Sequence, residues 1–261
     1  RVPPVLVPTG VWLHRGRPLE STTPMPTAPA YDEFALFSEN AQEFGIPWTG
    51  PPDVRRVEAQ TAAGTISALA WGTGAPELVL VHGGAQNAHT WDTVALALDR
   101  PLLAVDLPGH GHSAHRDDHA YWPAENAATL EQALRVLAPE ARVVVGMSLG
   151  GLTTIRLAGA HPELVDRAVV VAVTPNAQSR QVRMTTQQRG TTALIGAQTE
   201  FDDLDQIVAA TSAAAPQRKI SNIRRGVLHN ARQLDDGRWA WRYDRLSTPD
   251  QPGADFLPLW D

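Results

Sequence analysis

The sequence predicts an α/β fold with an open, mostly parallel sheet, flanking helices and a helical cap insertion. Four short, continuous apolar runs are typical of strands buried on both faces of a parallel sheet. The apolar runs are 78–81, 102–105, 143–145 and 168–171, and the helical patterns between them lie at about 91–99, 126–137 and 149–160. This alternation places a ligand crevice at the carboxyl ends of the strands.

The segments before this alternation are predicted to be a tail, a helix and a hairpin. Prolines interrupt the opening of the chain, so residues 1–30 are expected to be a proline-rich tail, which is not a secretory signal and need not be native. Residues 32–45 have an amphipathic helical pattern, and the strand-like segments 54–60 and 65–71 follow as a hairpin. Together with the parallel strands, this helix and this hairpin form the predicted core, residues 31–174.

A polar, helix-rich stretch after residue 174 predicts a helical cap over residues 175–245, followed by a linker at 246–261. The cap should end in a turn and a short exposed strand at 239–243. Its arginines, among them Arg225, are expected to lie mainly on a solvated outer face.

Composition narrows the class of partner. The net charge of -6 over 261 residues argues against nucleic-acid binding, and no apolar stretch is long enough to cross a membrane. The absence of cysteine excludes disulfides and a thiol nucleophile. We expect a cytoplasmic protein whose partner is a small-molecule substrate.

One motif predicts a nucleophile. Gly146-Met147-Ser148-Leu149-Gly150 follows a buried-strand pattern and passes into a helical one, which is typical of a nucleophile elbow. So tight a turn holds its serine in a strained conformation and tolerates only small neighbours. Ser148 is therefore the candidate nucleophile.

A second motif predicts an oxyanion hole. His82-Gly83-Gly84 follows the apolar run 78–81, and glycines at that place let the backbone turn its N–H groups toward a site. We expect the N–H groups of Gly84 and Leu149 to be the donors. Taken alone, the motif is equally compatible with a tight turn that has no catalytic task.

A third motif, the segment from Asp106 to Ser113, follows the run 102–105. Together the three motifs resemble the α/β-hydrolase fold superfamily, and the cap resembles that of its capped bacterial members. The resemblance implies a serine hydrolase that acts on a small ester, lactone or amide through an acyl-enzyme, without a cofactor. It also implies that Asp106 orders the glycine loop and that His82 braces the oxyanion loop.

Other candidate residues line the expected crevice or lie near its mouth. The expected substrate pocket comprises His82, Gly83, Met147 and His229. The loop histidines are His110, His112, His115 and His119. Because no periodicity fixes these histidines on one face, no metal site is predicted.

The triad acid and histidine of this superfamily would follow two further strands, which the sequence does not show. An acid from the cap would require Asp202, Asp203 or Asp205 to fold back. We therefore expect a chain truncated before these residues and nearly inactive by itself. The alternatives are a non-catalytic small-molecule-binding homologue, or a cofactor-free peroxidase or carbon–carbon hydrolase of the same fold.

Overall fold

The computed structural model describes residues 31–174, residue 194 and residues 199–244. The predicted tail at 1–30, the predicted linker at 246–261 and part of the predicted cap lie outside the described residues. The described end of the cap, residues 199–244, is called the cap segment below.

A six-stranded sheet in the order β1-β2-β4-β3-β5-β6 forms the centre of the core. Its strands are β1 (Val54–Thr61), β2 (Gly64–Trp71), β3 (Leu78–Val81), β4 (Leu102–Val105), β5 (Val143–Met147) and β6 (Arg167–Val171). Strands β1 and β2 form the predicted hairpin, and β2 pairs antiparallel with β4. The pairs β4-β3, β3-β5 and β5-β6 are parallel, which confirms the predicted mostly parallel sheet.

Helices cover both faces of this sheet. They are α1 (Phe37–Phe44), α2 (Asp92–Leu98), α3 (Pro123–Leu137) and α4 (Leu149–Ala160), with short 3-10 helices at Ala88–Trp91 and Pro162–Leu164. Leu103 packs with Leu130 and Leu157 on one face, whereas Leu102 packs with Phe37 on the other. Because successive strand residues point to opposite faces, a strand covered on both sides needs a continuous apolar run. No helix in the described ranges has the length and apolarity to cross a membrane.

Strand β6 departs from the prediction that it is buried on both faces. The side chains of Val169, Val170 and Val171 are 50%, 38% and 40% exposed. The prediction fails because β6 is the outermost strand, which within the described residues pairs only with β5 and is incompletely covered. Its apolar run nevertheless identified it correctly as a strand.

The cap segment has its own small apolar core. It contains β7 (Glu200–Phe201), α5 (Leu204–Ala214), α6 (Ile220–Asn230), β8 (Ala231–Gln233) and β9 (Trp239–Trp241). Ile207 and Ile223 of the two helices pack with Trp241. The prediction of an exposed strand at 239–243 is therefore wrong: Trp241 is only 7% exposed, since β9 lies between β7 and β8 and packs against the helices.

Arg225 also departs from the prediction of a solvated arginine face. Its side chain is 7% exposed and forms ion pairs with Glu39 and Glu43 of α1. A buried guanidinium needs such partners because an unpaired buried charge is costly. These ion pairs join α6 of the cap segment to α1 of the core.

Candidate active site

Ser148 lies at the turn between β5 and α4, as the elbow motif predicts. Its backbone has φ 50° and ψ −116°, in a region that L-residues rarely adopt, and its side chain is exposed. The Ser148 N–H donates to the Val171 carbonyl at 2.9 Å, which ties the turn to the end of β6. The strained conformation is held by the surrounding sheet and leaves the hydroxyl accessible.

Two glycines make this turn possible. A Cβ added at Gly146 would lie 2.3 Å from the Gly150 carbonyl oxygen. A Cβ added at Gly150 would lie 2.3 Å from the Val81 carbonyl oxygen and 2.4 Å from that of His82. Real Cβ atoms do not approach backbone oxygens this closely, so the elbow excludes any larger residue at either position.

The His82-Gly83-Gly84 loop lies beside the serine. A Cβ added at Gly83 would be 3.4 Å from the Ser148 Cβ. His82 is fully buried, and its Nε2 accepts a hydrogen bond from the Leu107 N–H at 3.0 Å. The proton of this neutral ring therefore resides on Nδ1, which donates to the Gly83 carbonyl at 2.7 Å.

This bond from His82 fixes the direction of the Gly84 N–H. The peptide between Gly83 and Gly84 is planar and trans, so holding its carbonyl oxygen also orients its N–H on the opposite side. Burial lowers the pKa of His82, which keeps the ring neutral as the arrangement requires. His82 is thus a brace, and its assignment to the substrate pocket is corrected because its ring reaches no open surface.

Leu149 is the first residue of α4. The N–H of a first helical residue has no intrahelical acceptor and sits at the positive end of the helix dipole. This N–H is thus suited to stabilise negative charge that develops on a bound substrate. The assignment of Gly84 and Leu149 as oxyanion donors stays a prediction.

Asp106 orders the loops around the site. Its fully buried carboxylate accepts from the Ala88 N–H at 2.7 Å and the His112 N–H at 3.0 Å, and it pairs with Arg56 at 2.8 Å. Asp106 thus joins Ala88, which follows the oxyanion loop, to the glycine-containing loop at 106–113, which follows β4. The structural role expected of Asp106 is confirmed by these contacts.

A buried ion cluster adjoins this carboxylate. His89 Nδ1 lies 2.9 Å from Asp92 Oδ2, and His89 Nε2 lies 3.1 Å from Glu33 Oε2. Burial alone would lower the pKa of His89, but the two carboxylates outweigh it and raise the pKa to about 9. His89 is therefore an imidazolium at neutral pH that donates from both ring nitrogens.

His229 of α6 stacks on this imidazolium, with ring centroids 3.8 Å apart and planes inclined by 11°. Burial, reinforced by the charge on His89, holds the pKa of His229 well below its usual value. Ligand atoms of His89, Asp92 and His229 lie within 4.8 Å of one another. Both ring nitrogens of His89 are engaged by carboxylates, so these contacts form an ion pair between His89 and Asp92 on which His229 stacks.

The raised pKa of His89 predicts a pH-dependent stability. The folded state binds a proton that the unfolded state releases above about pH 6.5, so the stabilisation is full below that value and is lost as pH rises through about 9. Between these two pH values, the free energy of unfolding should fall by on the order of 3 kcal/mol. Urea unfolding at pH 6.5 and 9.5 should show this loss in the wild type but not in His89→Gln. Equal losses in the two proteins would contradict this assignment.

A cavity of about 170 Å³ lies behind the oxyanion loop. Its lining includes His229, Gln86 and Asn230 but not Ser148, so the assignment of His229 to the substrate pocket stays a prediction. Gly83 and Met147 do not line it: Gly83 lies against the serine, and Met147 packs toward the core.

The loop histidines have separate surroundings, except that His115 and His119 both approach Asp244, at 4.0 and 2.7 Å. His110 is fully buried and accepts from the Ala85 N–H at 3.1 Å. His112 lies 3.9 Å from Glu33, whereas His115 bonds the Arg242 carbonyl and His119 pairs with Asp244 of the cap segment.

The described residues bring no general base to the serine. Within residues 31–174, 194 and 199–244, the two buried imidazoles of the adjoining loops are engaged elsewhere: His82 bonds the Gly83 carbonyl and the Leu107 N–H, and His110 bonds the Ala85 N–H. Asp203 does not fold back toward the site, since its carboxylate caps α5 by accepting from the Gln206 N–H at 2.8 Å. Asp202 is likewise engaged locally, at 3.2 Å from the Gln206 amide.

The model for the alpha/beta hydrolase family matches residues 78–261, and the chain belongs to this family. The predicted enzyme class, a hydrolase, is thereby confirmed together with the fold.

Individual relatives refine this class. Esterase Rv0045c from Mycobacterium tuberculosis is 54% identical over 231 residues, which cover 88% of this chain and 74% of the relative. The match to a solved structure of that esterase covers 88% of this chain and 77% of the esterase chain, and it has a TM-score of 0.75. A pimeloyl-[acyl-carrier protein] methyl ester esterase from Vibrio atlanticus is 40% identical over 102 residues, 38% of this chain and 37% of the relative.

Proposed function

We propose that this protein is a serine esterase with Ser148 as its nucleophile. The observation that carries the proposal is the strained, exposed Ser148 beside an oxyanion loop whose Gly83–Gly84 peptide is fixed by a neutral, buried histidine. The 54% identity to an esterase supports an ester as the substrate class.

In the proposed reaction, the Ser148 hydroxyl oxygen attacks the ester carbonyl while its proton passes to a general base. The N–H groups of Gly84 and Leu149 stabilise the oxyanion of the tetrahedral intermediate. Collapse breaks the bond to the alkoxide, which takes the proton and leaves as the alcohol. Water then attacks the acyl-enzyme, releases the acid and regenerates the serine.

The experiment uses the protein expressed from its complete reading frame and a p-nitrophenyl ester of a short acid. An esterase releases p-nitrophenol with saturation kinetics, and Ser148→Ala slows this release by about 10³-fold or more. The competing function is a non-catalytic binder, favoured by the lack of a base against Ser148 among the described residues. A binder would take up the ester in calorimetry without turnover, which would refute the proposed function.

The 261-residue polypeptide expressed by itself is expected to show no ester turnover above that of its Ser148→Ala variant. The reason is that residues 31–174, 194 and 199–244 bring no base to Ser148, and a serine hydroxyl without an adjacent base is a weak nucleophile, which leaves only binding and oxyanion stabilisation. Stopped-flow measurement of p-nitrophenol release tests this. A serine-dependent burst of one equivalent would contradict it.

A further inference from the structure

The oxyanion loop is held by four side chains, one on each of four consecutive peptide groups. Three of them come from the core: the Gly83 N–H donates to Gln86 Oε1 at 2.8 Å, the Gly83 carbonyl accepts from His82, and the Ala85 N–H donates to His110. The fourth is Asn230, whose Nδ2 donates to the Ala85 carbonyl at 2.8 Å.

Asn230 differs from the other three because it belongs to the cap segment. It is the last residue of α6 and is only 8% exposed. Its Oδ1 accepts from Asn87 Nδ2 at 3.2 Å, and the same Asn87 nitrogen donates to the His229 carbonyl at 3.0 Å. Asn87 thus holds the amide of Asn230 in the orientation that presents its N–H to Ala85.

The peptide held by Asn230 follows a strained residue. Ala85 has φ 57°, in the left-handed region, which costs a non-glycine residue on the order of 1 kcal/mol or more. Such a conformation persists only where surrounding contacts determine it. Without the bond from Asn230, Ala85 could leave this conformation by changing its φ, and the strain would then fall on the Gly84–Ala85 peptide, which His110 alone would hold.

We propose that Asn230 is a positioning residue for the oxyanion hole, through which the end of cap helix α6 supports the loop in which His82 orients the Gly84 N–H. The inference rests on the proposed esterase function. It makes the docking of the cap segment a condition for transition-state stabilisation, in addition to any part the cap has in enclosing substrate.

The test compares Asn230→Asp with the wild type in the protein from the complete reading frame. The substitution preserves size and the bond from Asn87 but replaces the donor with a carboxylate facing the Ala85 carbonyl. We expect kcat to fall about ten- to a hundredfold with KM changed less than about threefold, because misplaced donors weaken transition-state binding. The affinity of a trifluoromethyl ketone, which forms a tetrahedral adduct, should fall by the same factor as kcat/KM.

Gln233→Glu is the matched control, since it makes the same amide-to-acid change at an exposed site of the cap segment. Its kcat should equal that of the wild type. Asn87→Asp is the second variant. It retains the bond that Oδ1 accepts from the backbone N–H of His89, but it loses the bonds that Nδ2 donates to Asn230 and to the His229 carbonyl, so kcat should again fall. It keeps the inference testable if Asn230→Asp does not fold.

A wild-type kcat in a folded Asn230→Asp or Asn87→Asp would overturn the inference while leaving the esterase function intact. A rise in KM at constant kcat would also overturn it, since that result denotes lost substrate binding and not a displaced oxyanion donor. Absence of Ser148-dependent turnover in the wild type would instead overturn the proposed function, and the inference with it.

Discussion

Replacing Ser148 with alanine is expected to lower kcat for ester hydrolysis by about 10³- to 10⁶-fold. The alanine retains the fold and the oxyanion loop but has no oxygen to form the acyl-enzyme. What remains is attack by water on a bound ester, assisted only by the N–H groups that face the oxyanion. Because this variant forms no acyl-enzyme, its KM should approach the dissociation constant of the ester, whereas the wild-type KM also contains the acylation and deacylation rates. Initial rates with a p-nitrophenyl ester measure both constants.

The matched control is Ser38→Ala, which removes an exposed serine hydroxyl from α1 of the core. Its kcat should equal that of the wild type. A Ser148→Ala protein that retains more than about one tenth of wild-type kcat would show that another nucleophile carries the reaction.

Replacing Gly150 with alanine is expected to disrupt the elbow itself. The new Cβ would lie within 2.4 Å of the Val81 and His82 carbonyl oxygens, which are backbone atoms at the end of β3 and the start of the oxyanion loop. Neither can move without displacing the sheet or the loop. We expect a loss of about 3 kcal/mol or more in the free energy of unfolding, together with loss of esterase activity. Urea unfolding and active-site titration measure the two effects.

Gly226→Ala provides the control for this substitution. Gly226 lies in the middle of α6, and a Cβ added there would meet no atom within 4 Å. Alanine should stabilise the helix by about 0.5–1 kcal/mol and leave activity unchanged. If Gly150→Ala were as stable and active as Gly226→Ala, the tight packing described for the elbow would be wrong.

Most of the core could be predicted from the sequence because its signals are local. A strand buried on both faces must be continuously apolar, and a turn between strands needs its own residue types, so the hairpin and the parallel strands were found close to their actual bounds. Burial was less predictable. The exposure of Val169 and the burial of Trp241 depend on which elements lie beside them, which no local pattern reports.

The candidate site also combines local features, which the sequence predicts, with contacts between distant segments, which it does not. The elbow at Ser148 and the loop at His82 are contiguous motifs, and their backbone conformations follow from steric limits within a few residues. The contacts of Glu33 with His89 and of Asn230 with Ala85 join segments far apart in the chain. No short-range pattern marks those partners.

The most direct test is to treat the protein from the complete reading frame with a fluorophosphonate and to locate the adduct by peptide mass spectrometry. An activated serine nucleophile predicts one equivalent of phosphonate on the peptide that contains Ser148, and none in Ser148→Ala. An unmodified Ser148 in a protein that hydrolyses esters would contradict its assignment as the nucleophile.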